Sequence, residues 1–170
     1  MGVKGWIGFH LKMKKTSLNA FQALVAATVD HVLQECHGDT AATNATLLKI
    51  GTSMAETLLF EYSDKIGKHA TSFQGFLETF SLATKVMLGV KFDRVAWDPS
   101  ARKIVYAFNT CPICENIRMS DEYKGLKYCN ILAGVFQHVL TLRGFQSECE
   151  EVQCLTWGDE SCVWELREVT

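Results

Sequence analysis

Seven cysteines stand in a chain of 170 residues, and five of them fall into a pattern that could do chemistry. Cys111 and Cys114 form the sequence CPIC. A C-x-x-C pair on a tight turn brings two sulfurs within reach of one ion, or of each other. Cys154 and Cys162 are placed symmetrically about Gly158. A hairpin pairing symmetrically there sets the two opposite each other, with Cβ atoms about 5 Å apart. Zinc takes four soft ligands at the corners of a tetrahedron, and Cys111, Cys114, Cys154 and Cys162 could supply them. Cys129, between the two pairs, is a substitute ligand. The competing assignment is that all are free thiols packed as small apolar groups, as free cysteine commonly is. Cys36 and Cys149 look ordinary under either assignment.

A C-x-x-C after a strand also has the spacing of a thioredoxin-like dithiol. The context differs, because such folds carry the motif after an early strand of a βαβ unit, with a cis-proline later. Here three expected helices come first, and no proline follows Pro112. Other catalytic patterns are absent. There is neither G-x-S-x-G nor a phosphate-binding glycine loop. His10, His31, His37, His69 and His138 show no metal-ligand spacing, and His138 sits between apolar positions as a core or interface histidine would. Glu148, Glu150 and Glu151 read as a solvated strand face, and no carboxylate pair offers an acid–base couple. A non-enzymatic protein is expected.

The elements that must position the cysteines follow from hydrophobic period and stop signals. Thr16 or Ser17 can cap a helix running to about Cys36, with Leu18, Phe21, Val25, Val29 and Val32 on one face. HGDTAATN reads as a loop. A second helix is expected from about Ala45 to Ser63, with Gly51 inside it at a cost of about 1 kcal/mol against alanine, which a close backbone approach would explain. A third helix spans about Phe73 to Leu88. Lys91–Asp98 and Lys103–Asn109 read as two strands about Pro99–Ser100. A fourth helix is expected from Ser120 to Arg143, stopped by Gly144. A last hairpin pairs Phe145–Leu155 with Ser161–Val169. The order ααα-ββ-α-ββ predicts an α+β domain, a four-stranded antiparallel sheet covered by helices.

Composition bounds the rest. Apolar residues make up 48% and charged residues 21%, a globular mix that excludes disorder. The net charge of −2 argues against a nucleic-acid binder. No apolar run approaches a membrane span, and no apolar signal core opens the chain, so a cytoplasmic protein is expected. An odd cysteine count there points to thiols or metal rather than a disulfide framework. Residues 1–15 form a basic leader with four lysines (Lys4, Lys12, Lys14, Lys15) among apolar residues, able to touch an anionic membrane surface. Residues 16–170 are expected to form one domain.

Several of these segments together resemble the core subunits of TRAPP, the transport protein particle. The matching features are Leu88-Gly89, Trp97 with Pro99, Asn109 with Pro112, and the helix carrying Tyr128, Asn130 and Gly134; LLKIGTSMAETLLFEY is similar to that family's glycine-containing second helix. The C-terminal part resembles the related 4-vinyl reductase domain, through Cys129, Glu151 with Cys154, and Gly158-Asp159 with Cys162. The resemblance implies a dimer made by the helices, with a second copy or a related subunit. It implies contact with a small GTPase through an assembled complex, and peripheral work at membranes. It implies an apolar channel able to hold an acyl chain, for which Phe73, Phe76, Phe80, Leu132, Val135 and Phe136 are the candidates. One departure stands out: the loop KIGKHATSF has no cysteine where the acylated TRAPP subunit carries its lipid. The primary expectation is a TRAPP-like tethering scaffold. The alternative is a 4-vinyl-reductase-type sensor of a small apolar molecule, with zinc or thiols shaping its site.

Overall fold

The computed structural model describes residues 17–66, 71–114, 117 and 123–169. The leader, and with it the expected membrane contact, lies outside the described residues.

Helix α1 (Leu18–Glu35) starts where Ser17 accepts the Ala20 amide at 3.5 Å, and it buries Val25, Val29 and Val32. Helix α2 spans Thr40–Ile66 and begins five residues before the expected start at Ala45. The cause is Asp39, whose carboxylate accepts the amides of Ala41 and Ala42 at 2.9 and 3.0 Å. Those amides would otherwise lack partners in the first turn, so most of the expected loop HGDTAATN is helix. Asp39→Ala should cost about 1 kcal/mol. Thermal unfolding followed by circular dichroism should show this as a midpoint lowered by roughly 2–4 °C. Helix α3 (Phe73–Leu88) has the expected bounds, with Ser72 accepting the Gly75 amide at its start.

Strand β1 (Arg94–Asp98) starts three residues later than expected and turns into β2 (Lys103–Phe108). The Asp98 carboxylate accepts the amides of Ser100 and Ala101 across that turn. Helix α4 is shorter than the expected Ser120–Arg143 and spans Asn130–Thr141. Residues 118–122 lie outside the description. Gly125 takes φ +84°, a left-handed backbone that no right-handed helix contains, so the helical hydrogen-bond ladder cannot run through it. Asn44 of α2 holds the irregular stretch instead: it donates to the Gly125 carbonyl at 3.0 Å and accepts the Lys127 amide at 2.7 Å. Strand β3 (Ser147–Gln153), a 3₁₀ turn (Leu155–Trp157) and β4 (Cys162–Glu168) complete the chain.

The protein is α+β, as expected, with an antiparallel sheet in the order β1-β2-β4-β3. The two hairpins meet at β2 and β4, where Ile104 opposes Leu166 and Tyr106 opposes Trp164. Those four side chains are fully buried. Helix α4 lies between the sheet and α2. It meets α2 backbone to backbone at Gly51 and Gly134. A Cβ on Gly51 would stand 2.0 Å from the Ile131 carbonyl oxygen, and one on Gly134 2.1 Å from that of Leu48. This is the close approach that explains a glycine inside α2. Among the described residues, no helix is long and apolar enough to cross a membrane.

A buried sulfur cluster as candidate functional site

Five cysteines from three parts of the chain converge beneath one end of the sheet. Cys111 and Cys114 lie in the turn that follows β2, where the Ile113 amide donates to the Cys111 sulfur at 3.5 Å. Cys129 is the residue immediately before α4. Cys162 opens β4, and Cys154 follows β3. Gly158 at φ +91° reverses the chain between them, and the Asp159 carboxylate holds the turn by accepting the Cys154 amide at 2.8 Å. Trp157 donates its ring N–H to the Leu126 carbonyl at 2.7 Å, which ties the turn to the segment leading into Cys129.

The sulfurs are close. Cys111 Sγ is 3.5 Å from Cys129 Sγ, and Cys114 Sγ is 3.2 Å from Cys162, 3.9 Å from Cys129 and 4.0 Å from Cys154. Cys154 and Cys162 are 3.8 Å apart. All five side chains are buried. The structure thus brings Cys111, Cys114, Cys154 and Cys162 into one cluster. Cys129, read from the sequence as a substitute, belongs to both groups of four donors whose ligand atoms lie within 4.8 Å of one another.

The second of these groups contains a residue that corrects the sequence reading. Glu151 is 1% exposed, not part of a solvated face with Glu148 and Glu150. Glu151 opposes the buried Trp164, so ordinary strand alternation turns it inward with Cys149. An extra residue, Val152, then bulges out between Glu151 and Gln153. The bulge lets Glu151 and Cys154, three residues apart, point to the same side. Glu151 Oε2 accepts the Cys129 amide at 3.3 Å, while Oε1 is buried with no hydrogen-bond partner. Burial, then the charge of Cys154, pushes its carboxyl well above the usual range.

The thiols share their protons unequally. Burial, reinforced by Cys111, holds Cys129 well above the ordinary thiol range. Contacts from Cys114 and then Cys129 bring Cys154 down to about 7. Cys162 is raised by Cys111 but lowered further by Cys114, Cys129 and Cys154, to about 5. Such a pocket favours thiolate character at some of its sulfurs, which is the form that binds metal.

The donor set fits zinc. A tetrahedron with metal–sulfur bonds of about 2.3 Å has sulfurs about 3.8 Å apart, the scale of the observed separations. An unpartnered buried carboxylate oxygen beside the sulfurs is a further hard-to-explain polar atom unless a cation or proton satisfies it. A dithiol oxidoreductase needs one accessible pair. Here Cys111 and Cys114 are buried, and each sits against other sulfurs.

The six apolar candidates divide. Phe73, Phe76, Phe80 and Phe136 are buried, with Phe80 and Phe136 ring centroids 4.8 Å apart and Phe76 and Phe80 5.6 Å apart. Leu132 and Val135 are half-buried against the same core.

No family model matches the chain. Its sequence is 27% identical over 155 residues to trafficking protein particle complex subunit 3 of Dictyostelium discoideum, covering 88% of this chain and 81% of that protein. Its fold is similar, at a TM-score of 0.72, to the crystal structure of a trafficking protein particle complex subunit 3 from Naegleria fowleri covalently bound to palmitic acid. The two are 25% identical, and the match covers 86% of this chain and 94% of the other. An H-NOX protein from S. oneidensis, solved in the Fe(II)NO ligation state, matches with a TM-score of 0.56 over 84% of this chain and 72% of that one. At 12% identity it shares the fold alone. In sequence and in fold alike, therefore, this chain resembles the TRAPP core-subunit family.

Proposed function

We propose that this chain is a TRAPP-type trafficking scaffold subunit that works in the cytoplasm, peripherally to membranes. The observation that carries this reading is a likeness to trafficking protein particle complex subunit 3 that runs along most of both chains and holds in fold as well as sequence. The subunit pairs with a second copy or a related chain through its helices, and it meets a small GTPase only within an assembled complex. It catalyses no reaction of its own. Its apolar ligand is an acyl chain, in keeping with the palmitic acid of the Naegleria relative. The loop between α2 and α3 offers no thiol, so the chain is held there without a covalent bond. Each buried CH₂ contributes about 0.8 kcal/mol, enough for an apolar slot to retain a fatty acid without chemistry. Phe73, Phe76, Phe80, Leu132, Val135 and Phe136, which pack together in the core, are the residues we propose would line such a slot. One zinc ion in the sulfur cluster is the second component, and it is structural.

Native mass spectrometry of the purified protein, followed by denaturation of the same sample and organic extraction, tests all three parts. The expected result is a dimer carrying one zinc per chain and releasing a fatty acid. A monomer that stays monomeric when mixed with related subunits would overturn the scaffold reading. A retained small aromatic or other compact apolar molecule in place of the fatty acid would instead favour a sensor of the 4-vinyl reductase type.

A further inference from the structure

The sheet ends in two edge strands, and they differ in how they are guarded. In the order β1-β2-β4-β3, β1 and β3 each have one side that no described strand pairs. Such a side presents unpaired amide and carbonyl groups, which proteins blunt with charges, proline or a bulge. Strand β3 has such guards. Glu148 and Glu150 are exposed along it, and a bulge follows Glu151. Two copies of β3 laid edge to edge would set acid beside acid, which is destabilising. Strand β1 has no proline, and its register with β2 runs unbroken from Arg94 to Asp98.

The residue order of β1 is complementary to itself. Arg94-Val95-Ala96-Trp97-Asp98 reads as charge, apolar, small, apolar, charge, with opposite signs at the two ends. Val95 and Trp97 pack on the core, so Arg94, Ala96 and Asp98 share the outer face of the sheet. An antiparallel copy centred on Ala96 sets Arg94 beside the partner's Asp98, and Asp98 beside the partner's Arg94. Alanine then meets alanine at the centre, and on the inner face Val95 meets the partner's Trp97. Opposite charges, and an aromatic against a β-branched residue, are the cross-strand pairs that stabilise such a ladder. The ends are available for this. Arg94 is exposed, and among the described residues no ion pair engages it. The Ser100 and Ala101 amides and the Ser100 hydroxyl all donate to Oδ1 of Asp98, which leaves Oδ2 to face a guanidinium.

The geometry points to the β1 edge as a surface for a second copy of this chain, joined β1 to β1 across a two-fold axis at Ala96 into one eight-stranded sheet. The contact is separate from the helical pairing proposed above, and it does not depend on the trafficking reading. A two-fold contact at the strand edge, added to one between helices, links pairs of chains into tetramers or longer rows.

Ala96→Cys tests the register. At the axis the two Cβ atoms stand about 5 Å apart, near the reach of a disulfide. Treatment with oxidised glutathione should cross-link this variant into a dimer, with peptide mapping placing the bond at position 96 of both chains. The wild-type protein should give no such product. Arg94→Asp tests the charges. It turns both opposite-charge pairs into like-charge pairs, so the association constant from sedimentation equilibrium should fall roughly tenfold. Circular dichroism should show an unchanged fold, because Arg94 is exposed. Added salt should weaken the wild-type association and leave less effect on the variant. Absence of a bond at position 96, or an association step that Arg94→Asp leaves unchanged, would overturn the edge pairing. A dimer that survived both results would belong to the helices and leave the scaffold reading standing.

Discussion

Gly134→Ala should be among the most damaging single-methyl changes in this protein. The added Cβ would stand 2.1 Å from the Leu48 carbonyl oxygen, 3.0 Å from the Thr52 nitrogen and 3.1 Å from the Gly51 Cα. All three are backbone atoms of α2, so no side chain can rotate away to make room. Overpacking of a core commonly costs 1–3 kcal/mol, and a clash against helical backbone belongs at the upper end, about 3 kcal/mol. For a chain of this size that is a fall of roughly 6–12 °C in thermal midpoint. Gly51→Ala should cost about as much, because its Cβ meets the Ile131 carbonyl oxygen at 2.0 Å across the same crossing. The double variant should lose clearly less than the sum, since the first substitution already separates the helices that the second would push apart. Differential scanning calorimetry of the two single variants and the double checks both claims. A Gly134→Ala protein with an unchanged midpoint would mean that α2 and α4 do not cross at these glycines.

With zinc bound as proposed, Cys129→Ser should remove it and lower stability by a comparable amount. The residue precedes α4 but makes no side-chain capping bond there, so serine costs the helix nothing. What changes is the cluster, in which Cys129 sits 3.5 Å from Cys111 and 3.9 Å from Cys114. An ion present at a thousand times its dissociation constant stabilises the folded state by about 4 kcal/mol. Losing it should lower the midpoint by roughly 8–16 °C. Zinc measured by inductively coupled plasma spectrometry should fall from one per chain to none. The wild-type protein stripped with a strong chelator should melt with the variant, and zinc should restore only the wild type. Variant and wild type melting together before any chelation would show that no bound ion contributes to the fold.

Much of this architecture can be read from local signals, because local signals formed it. Helix α3 is bounded by Ser72 and Gly89, a capping residue and a left-handed stop, and its expected limits coincide with the observed ones. The symmetric placement of Cys154 and Cys162 about Gly158 anticipates their meeting: just beyond the Gln153–Val163 pair their sulfurs lie 3.8 Å apart. Gly51 signals a close backbone approach, although its partner, Gly134, is 83 positions away and belongs to an element that only the fold brings near.

The failures have equally specific causes. The start of α2 was hidden by Asp39, which reads as a loop residue and acts as a cap. The start of α4 was hidden because apolar spacing continues through Leu126 while Gly125 breaks the helix. Glu151 reads with its acidic neighbours as a solvated face, although alternation from the apolar Cys149 turns it inward. Its alignment with Cys154 depends on a bulged residue, and no period of two or of 3.6 reveals one. The order of strands across the sheet is likewise a matter of long-range pairing that hairpin signals do not contain.

That strand order has a consequence for how the chain folds. Each hairpin can close early, because its strands are joined by short turns. The contact that joins the hairpins, β2 against β4, must instead close a loop of about fifty residues that contains the whole of α4, and closure of such a loop carries an entropic cost before any pairing compensates it. Non-local pairing of this kind slows folding. The cysteines stand at the mouth of that loop: Phe108 pairs with Cys162 at the end of the central ladder, and CPIC follows within a few residues. An ion that captured thiolates from both sides would act as a removable crosslink at the slowest step, setting the register between two hairpins that have no other covalent reason to meet.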